Sequence, residues 1–340
     1  MAWEKRMPDS PVVAVAGSTG AVGKEMLDIL AERSFPAARV IALASARSAG
    51  RSVRFGDRDL VVEEMTPESF AGVDIALFSA GASVSREYRD AVVGSGAVMI
   101  DNSSAFRMDA DVPLVVPEVN PEAIAEHSGV IANPNCSTIQ LVVALQPLAA
   151  LAPIRRVVVS TYQAASGAGQ AAMEELYTQT DQFLAGEELV VSQFAHRIAF
   201  NCIPQIDVFL EDGSTKEEWK MVVETKKIMR APDIAVHATC VRVPVLRCHS
   251  EAVNIEFSAE ITVDQVREAL VSAPGVTVID DTAALDYPMP ALLAGTDDVY
   301  IGRLRKDPTA PNAVSMWVVA DQLRKGAALN AVQIAERLLP

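Results

Sequence analysis

Apolar residues fall into two alternating rhythms along the first hundred positions. Unbroken apolar runs, beginning with PVVAVAG (11–17), alternate with stretches where apolar residues recur every three or four positions. A short valine-rich run bounded by turn residues predicts a parallel strand buried on both faces. Runs at Arg39–Ala44, Val73–Phe78 and Ala97–Ile100 predict three more strands. After the first run, KEMLDILAERS (24–34) sets Met26, Ile29 and Leu30 on one helical face, with Glu25, Asp28 and Glu32 elsewhere. Such alternation predicts an α/β fold built on a doubly wound parallel sheet. LVVALQPLAALAPI (141–154) is interrupted by Gln146, Pro147 and Pro153, so no run reaches the ~18 residues of a membrane helix. The opening MAWEKRMPDSP has no apolar core of the kind a secretory signal needs, and reads as a short disordered lead-in.

Charge narrows the choice of partner. Lys and Arg number 29 against 44 Asp and Glu, a formal charge of −15 in 340 residues. A general nucleic-acid binder needs a basic face, so that class is set aside. An anionic substrate would require a local basic pocket in an acidic protein. The four cysteines (Cys136, Cys202, Cys240, Cys248) have no metal-ligand spacing and no CxxC pair, which predicts no metal site and a reduced, cytoplasmic setting.

The first strand runs straight into GSTGAVG (17–23), ahead of the first helix. Glycines there let backbone approach a pyrophosphate while the helix N-terminus supplies oriented N–H groups. Thr19, Gly20, Ala21 and Val22 are thus candidate cofactor residues. At the end of the second strand, ALASARSAG (42–50) carries no acid for a ribose 2′-hydroxyl; it offers Ser45, Arg47 and Ser48. Two hydroxyls and a guanidinium suit a 2′-phosphate, which favours NADP over NAD.

In GVIANPNCSTIQLVVALQPLAAL (129–151), Pro134 disfavours helix at Asn133, so a helix starts near Asn135, Cys136 and Ser137. A cysteine there sits at the positive end of the helix dipole, which favours its thiolate. Cys202, Cys240 and Cys248 read as small buried residues.

These segments together with YQAASGAG (162–169), EEWKM (217–221), RVPVLRCHSEAVNIE (242–256) and ADQLRKGAALNAVQIAERL (320–338) make the chain similar to aspartate-β-semialdehyde dehydrogenase, from first strand to last helix. The resemblance implies a phosphorylating, NADP-dependent oxidoreductase. It would interconvert aspartate semialdehyde plus inorganic phosphate with aspartyl phosphate through a cysteine thioester. That reaction is a step toward lysine and diaminopimelate, threonine, methionine and isoleucine. It implies Cys136 as nucleophile, His249 as acid–base group, Arg242 on the substrate carboxylate and Gln163 orienting the acyl group and donating to its oxyanion. Arg107 and Lys220 would bind phosphate, and Ser166, Gly167 and Gln322 would meet the cofactor. Glu217 would contact the substrate ammonium, although Ser214 to Glu217 is also a capping-box spacing, and Thr215 to Glu218 repeats it.

The expected organisation is an NADP-binding domain (1–134), a catalytic and dimerisation domain with a mixed sheet (135–318), and a C-terminal helix (319–340) packed on the first domain, in a homodimer or homotetramer. Two other reductases are rivals. N-acetyl-γ-glutamyl-phosphate reductase has Gly and Tyr around its cysteine where Asn135 and Ser137 stand here. Glyceraldehyde-3-phosphate dehydrogenase lacks the Asn-Pro-Asn and carries an NAD acid. A non-catalytic NADP-binding sensor, with Cys136 only capping its helix, is the rival of another class.

Overall fold

The computed structural model describes residues 6–340, which divide into two compact units. Of the lead-in, residues 1–5 lie outside the described residues, and Met7 is buried in the first core.

The first unit takes residues up to 135 and then 327–340. Its chain order is β1 (Val12–Ala16), α1 (Ala21–Glu32), β2 (Arg39–Ala44), a hairpin of β3 (Ser52–Phe55) and β4 (Arg58–Val61), β5 (Glu63–Glu64), β6 (Ile75–Phe78), α2 (Ala82–Gly94), β7 (Val98–Asp101) and β8 (Val130–Ala132). Sheet order β5-β2-β1-β6-β7-β8, all parallel, is the dinucleotide-binding arrangement, with the order reversing beside β1. The central strands β1 and β6 and the flanking β8 are apolar throughout, as expected of strands covered on both faces, whereas the edge strand β5 is two exposed glutamates. One of those helices is the last in the sequence, Leu329–Arg337, whose Leu329, Val332, Ile334 and Ala335 enter the same core as Met26, Ile29 and Leu30 of α1. Arg33 closes that contact on Glu336 with two bonds of 2.7 and 2.8 Å.

The second unit, residues 136–326, contains α3 (Cys136–Ala149), β9 (Ile154–Gln163), α4 (Gln170–Ala185), α5 (Lys216–Ile228), β10 (Ala235–Arg242), β11 (His249–Phe257), α6 (Val263–Val271), β12 (Val276–Val278), β13 (Val299–Lys306) and β14 (Ala313–Ala320). The sheet, β10-β9-β11-β14-β13-β12, is mixed: β10 and β9 are parallel, as are β12 and β13, and the inner pairs are antiparallel. Along β11 the residues alternate, with His249, Glu251, Val253, Ile255 and Phe257 buried and Ala252, Asn254 and Glu256 half-buried. α3 is buried on nearly every side, hence its continuous apolar sequence. Residues 319–326 belong to this unit and not with the last helix. The reason is that β14 continues to Ala320, and Asp321 is held by Arg247 at 2.5 Å and the Gly295 amide at 2.7 Å.

Among the described residues no helix is long and apolar enough to cross a membrane.

Candidate active site and nucleotide cradle

In the first unit, the turn after β1 is built for close backbone approach. Gly17 has φ +86°, and a Cβ on it would run into the Ser79 carbonyl at the end of β6. A Cβ on Gly23 would strike the Gly17 carbonyl. Gly20 caps α1 with no side chain, so nothing from the cap residue covers the helix start. Thr19, Ala21 and Val22 are half-buried around it. This cradle fits a dinucleotide pyrophosphate, which needs N–H donors and room. At the end of β2, Ser45 and Arg47 are exposed. Ser48 is buried in a short 3₁₀ turn.

Arg107 lies in the loop after β7, buried, with Nε donating to the Asn133 carbonyl at 3.0 Å and Nη2 to that of Asn102 at 2.9 Å. Asp101 anchors this loop by accepting from Ser85 and Ser103, both at 2.6 Å. Burial pushes its carboxyl up against the pull of those bonds.

The second unit assembles its chemistry on the face of the sheet where α3 begins. Cys136 is the first residue of α3 and half-buried. Gly326 packs against it so closely that a Cβ there would sit 3.0 Å from the Cys136 Cβ. The paired ends of β9 and β10 place Gln163 beside Arg242, and β11 brings His249 in from the other side of β9. Gln163, Glu217, Arg242 and His249 are all buried.

Gln163 Nε2 donates to Ser137 Oγ at 2.5 Å and to Glu217 Oε1 at 3.0 Å, while its carbonyl oxygen has no hydrogen-bond partner. Since a carboxylate only accepts, Glu217 fixes which way the amide points. Both amide protons are therefore committed, and the oxyanion donor expected of Gln163 is not available from this arrangement. Glu217 also accepts from Lys220 at 3.1 Å, and Lys220 reaches Asp207 at 2.7 Å. Burial presses Lys220 down, but Glu217 and Asp207 outweigh it and hold the ammonium above its ordinary value.

The capping question is decided by one residue. Thr215 caps α5, with Glu218 N donating to its hydroxyl at 3.3 Å and Glu218 Oε2 accepting from the Thr215 amide at 2.7 Å. Ser214 bonds Asp212 instead, at 2.6 Å, so the Ser214–Glu217 box does not form and Glu217 turns to Gln163.

His249 is fully buried; its Nδ1 accepts from the Ala164 amide at 3.1 Å. An amide can only donate, so the neutral ring carries its proton on Nε2. Nε2 has no protein partner. Burial and then the charge of Arg242 hold the imidazole well below its ordinary value. Arg242 Nη1 donates to the Ala164 carbonyl at 2.7 Å. Burial lowers its guanidinium, opposed by Glu217 and by the nearby charge of Cys136. The turn at 164–167 is thus clasped from both sides. A Cβ on Gly167 would come within 2.8 Å of Arg242 Nη1 and 3.1 Å of His249 Nε2, so a larger residue there would displace those side chains.

Gln322 is buried, accepting from the Cys248 amide at 2.8 Å and donating to Ser166 Oγ. It braces Cys248, which holds a left-handed φ of +74°, immediately before His249. Burial pushes the Cys248 thiol up to about 12, and Cys240 also moves up, so both are inert. Cys202, expected to be buried, is exposed, while its neighbour Ile203 turns into the small core. Sequence reasoning missed Ser137, Asp207 and the Ala164 backbone; only Ser137 had a signal, its place next to Cys136.

The chain matches two family descriptions: "Semialdehyde dehydrogenase, NAD binding domain" over residues 12–127 and "Semialdehyde dehydrogenase, dimerisation domain" over 145–325. It is 54% identical over 331 residues to the aspartate-semialdehyde dehydrogenase of Aquifex aeolicus, spanning 96% of this chain and 97% of that protein. To that of Bacillus subtilis it is 53% identical over 334 residues, with 96% of each covered. The crystal structure of aspartate semialdehyde dehydrogenase II from Vibrio cholerae complexed with ASA superposes with a TM-score of 0.95 at 48% identity, covering 98% of this chain and 99% of that one.

Proposed function

The chain belongs to the aspartate-semialdehyde dehydrogenase family, and from that premise we propose how its own residues carry the reaction. The reaction interconverts aspartate semialdehyde plus phosphate with aspartyl phosphate, and the observation that carries the reading is Cys136 at the start of α3 in the unit that holds Arg242, Gln163, Glu217 and His249. None of the geometry favours the related reductases or a sensor.

Cys136 as thiolate attacks the aldehyde carbon, forming a C–S bond and leaving the electron pair on the carbonyl oxygen. A nicotinamide nucleotide, when bound, supplies the redox step by accepting hydride from that carbon. The thioester that remains on Cys136 is attacked by a phosphate oxygen; the C–S bond breaks and the acyl phosphate departs. In this sequence the carbonyl oxygen never has to take up a proton. It needs only a hydrogen bond while negative, and the Nε2–H of His249 is the donor suited to give it. His249 thus acts as an oxyanion donor and not as a carrier of protons, a change from the acid–base role the resemblance implies.

Arg242 holds the substrate carboxylate, its fork matching two oxygens. Glu217, oriented by Gln163 and Lys220, meets the ammonium group. Lys220 in the second unit and Arg107 in the first are the basic side chains suited to phosphate. Ser45 and Arg47 meet a 2′-phosphate, which makes NADP the preferred cofactor, with Ser48 shaping the turn from inside. Thr19, Gly20, Ala21 and Val22 would hold the pyrophosphate, and Ser166 and Gly167 would meet the nicotinamide. Gln322 serves by bracing Ser166 and Cys248. The family's dimerisation domain supports a homo-oligomer, and a dimer is the simplest form.

The test follows reduced-nicotinamide absorbance with aspartate semialdehyde, NADP and phosphate, omitting each in turn and repeating with NAD. Phosphate-dependent turnover that vanishes in Cys136→Ala, with folding and NADP binding unchanged, is expected. Turnover persisting in Cys136→Ala would falsify the mechanism.

A further inference from the structure

The buried guanidinium of Arg242 has an aromatic neighbour that the mechanism above does not use. The ring centroid of Phe194 lies 6.0 Å from the Arg242 Cζ. Phe194 belongs to no helix or strand. It stands in the loop 187–201, between α4 and the segment leading to α5.

That loop is fastened by two buried side chains of α4. Glu175 accepts from Ser192 Oγ at 2.9 Å and from the Gln193 amide, immediately before Phe194. Gln179 donates to the Val190 carbonyl at 2.9 Å and accepts from the Ile198 and Ala199 amides at 2.8 and 3.1 Å. Gln179 also donates to Glu175 at 2.8 Å, so the two anchors hold each other. Burying a carboxylate and an amide in this way costs free energy unless every bond is made. Here the bonds fix the loop on both sides of Phe194.

We propose that Phe194 is a positioning and specificity residue of the substrate site: its ring face holds the Arg242 guanidinium in place for a carboxylate. The proposal rests on Arg242 being the carboxylate anchor. A ring face attracts the cation yet accepts none of the N–H bonds that a carboxylate needs. It also keeps water from one side of a guanidinium already bonded to the Ala164 carbonyl. An acid in its place would compete with substrate, and an aliphatic side chain would leave the cation unsupported. Phe194 also packs against the small core of Ala165, Leu176, Ile198, Ala199 and Ile203, which would be its whole role if it were simply part of that core. Leucine separates the two roles, since it keeps apolar packing and loses the π face.

Steady-state kinetics of Phe194→Leu, Phe194→Tyr and Arg242→Lys, each checked for an unchanged thermal melt, make the test. Phe194→Leu is expected to raise KM for aspartate semialdehyde roughly three- to tenfold, with kcat changed about twofold or less. Phe194→Tyr should restore the wild-type KM. Toward 3-aminopropanal, which lacks the α-carboxylate, Phe194→Leu and wild type should have equal kcat/KM. Should Phe194→Leu leave KM unchanged while Arg242→Lys raises it, the proposal is overturned and the anchor role stands. Should Arg242→Lys leave KM unchanged as well, the anchor role is wrong and the proposal falls with it.

Discussion

Two residues beyond His249, on the same face of β11, lies a carboxylic acid that has no use for its charge. Glu251 is fully buried, and neither oxygen closes a hydrogen bond of ordinary geometry, although the Gln140 amide approaches it. It stands in register with Thr161, which pairs with Cys240, so a polar row underlies the row of Arg242 and Gln163. Burial holds its carboxyl well above the usual 4.5. The folded protein therefore keeps a proton that the unfolded chain loses. This contribution to stability is complete below pH 4.5 and declines as pH rises. Glu251→Gln removes the decline, so its stability relative to wild type should grow between pH 5 and pH 8, by at most about 1.4 kcal/mol per pH unit. Denaturant titrations at several pH values check this; parallel curves would contradict it. His249 has the opposite sign. Its lowered value leaves the ring neutral on both sides of pH 6.5, so kcat should stay level as pH falls through that value, and a limb at 6.5 would count against the Nε2 donor. Glu251 was not legible in the sequence, because HSEAVNIE alternates like any strand with one covered face, and only pairing shows that Glu251 points inward.

At the scale of elements, the sequence was most readable where backbone sterics leave few choices. The backbone at Gly17 and Gly23 admits essentially only glycine, and Pro134 keeps Asn133 from helical geometry ahead of α3. It was least readable where two equal patterns overlap, as at the start of α5. Ser214 and Thr215 are both good caps with a Glu three residues on, and only the tertiary bond from Cys240 N to Glu218 Oε1 at 2.9 Å favours the second. Thr215→Ala should lower stability by about 1 kcal/mol. Because Glu218 then loses its fixed place against β10, some loss of activity should accompany it, seen by comparing melts with turnover. Gly167 is a case where the right residue had an incomplete reason. The sequence suggested approach to a cofactor, whereas the structure shows His249 and Arg242 already touching the space its side chain would take. Gly167→Ala should fold and yet lose about a hundredfold in kcat/KM, since misplacing reacting groups by even 1 Å has that effect.

For the whole molecule, the parallel sheet followed from the apolar runs and the mixed second sheet from the resemblance, while the strand orders emerge only in the structure. Loop 187–201 did not follow from either, because nothing in EELVVSQFAHRIAFN announces which backbone groups Glu175 and Gln179 will hold. The acidic surface also has a consequence for the cofactor. In a chain of net charge −15, the exposed Arg47 is the side chain proposed above to attract a 2′-phosphate. Arg47→Glu should therefore weaken NADP by about tenfold or more, and NAD far less, as measured by titration of each nucleotide. Equal losses would mean that this loop does not read the phosphate.

The core of the first unit is completed by residues from its second sequence segment, among them Ala328, Leu329, Val332 and Ile334. On the ribosome, those residues emerge only after the whole second unit has been made. The nascent nucleotide-binding sheet must wait with one flank open while the catalytic unit is synthesised and free to fold. A premature stop in the last turns of the chain would spare Cys136 and the second unit around it. It would nonetheless leave the dinucleotide cradle on an unfinished core, exposed to the cell's proteases.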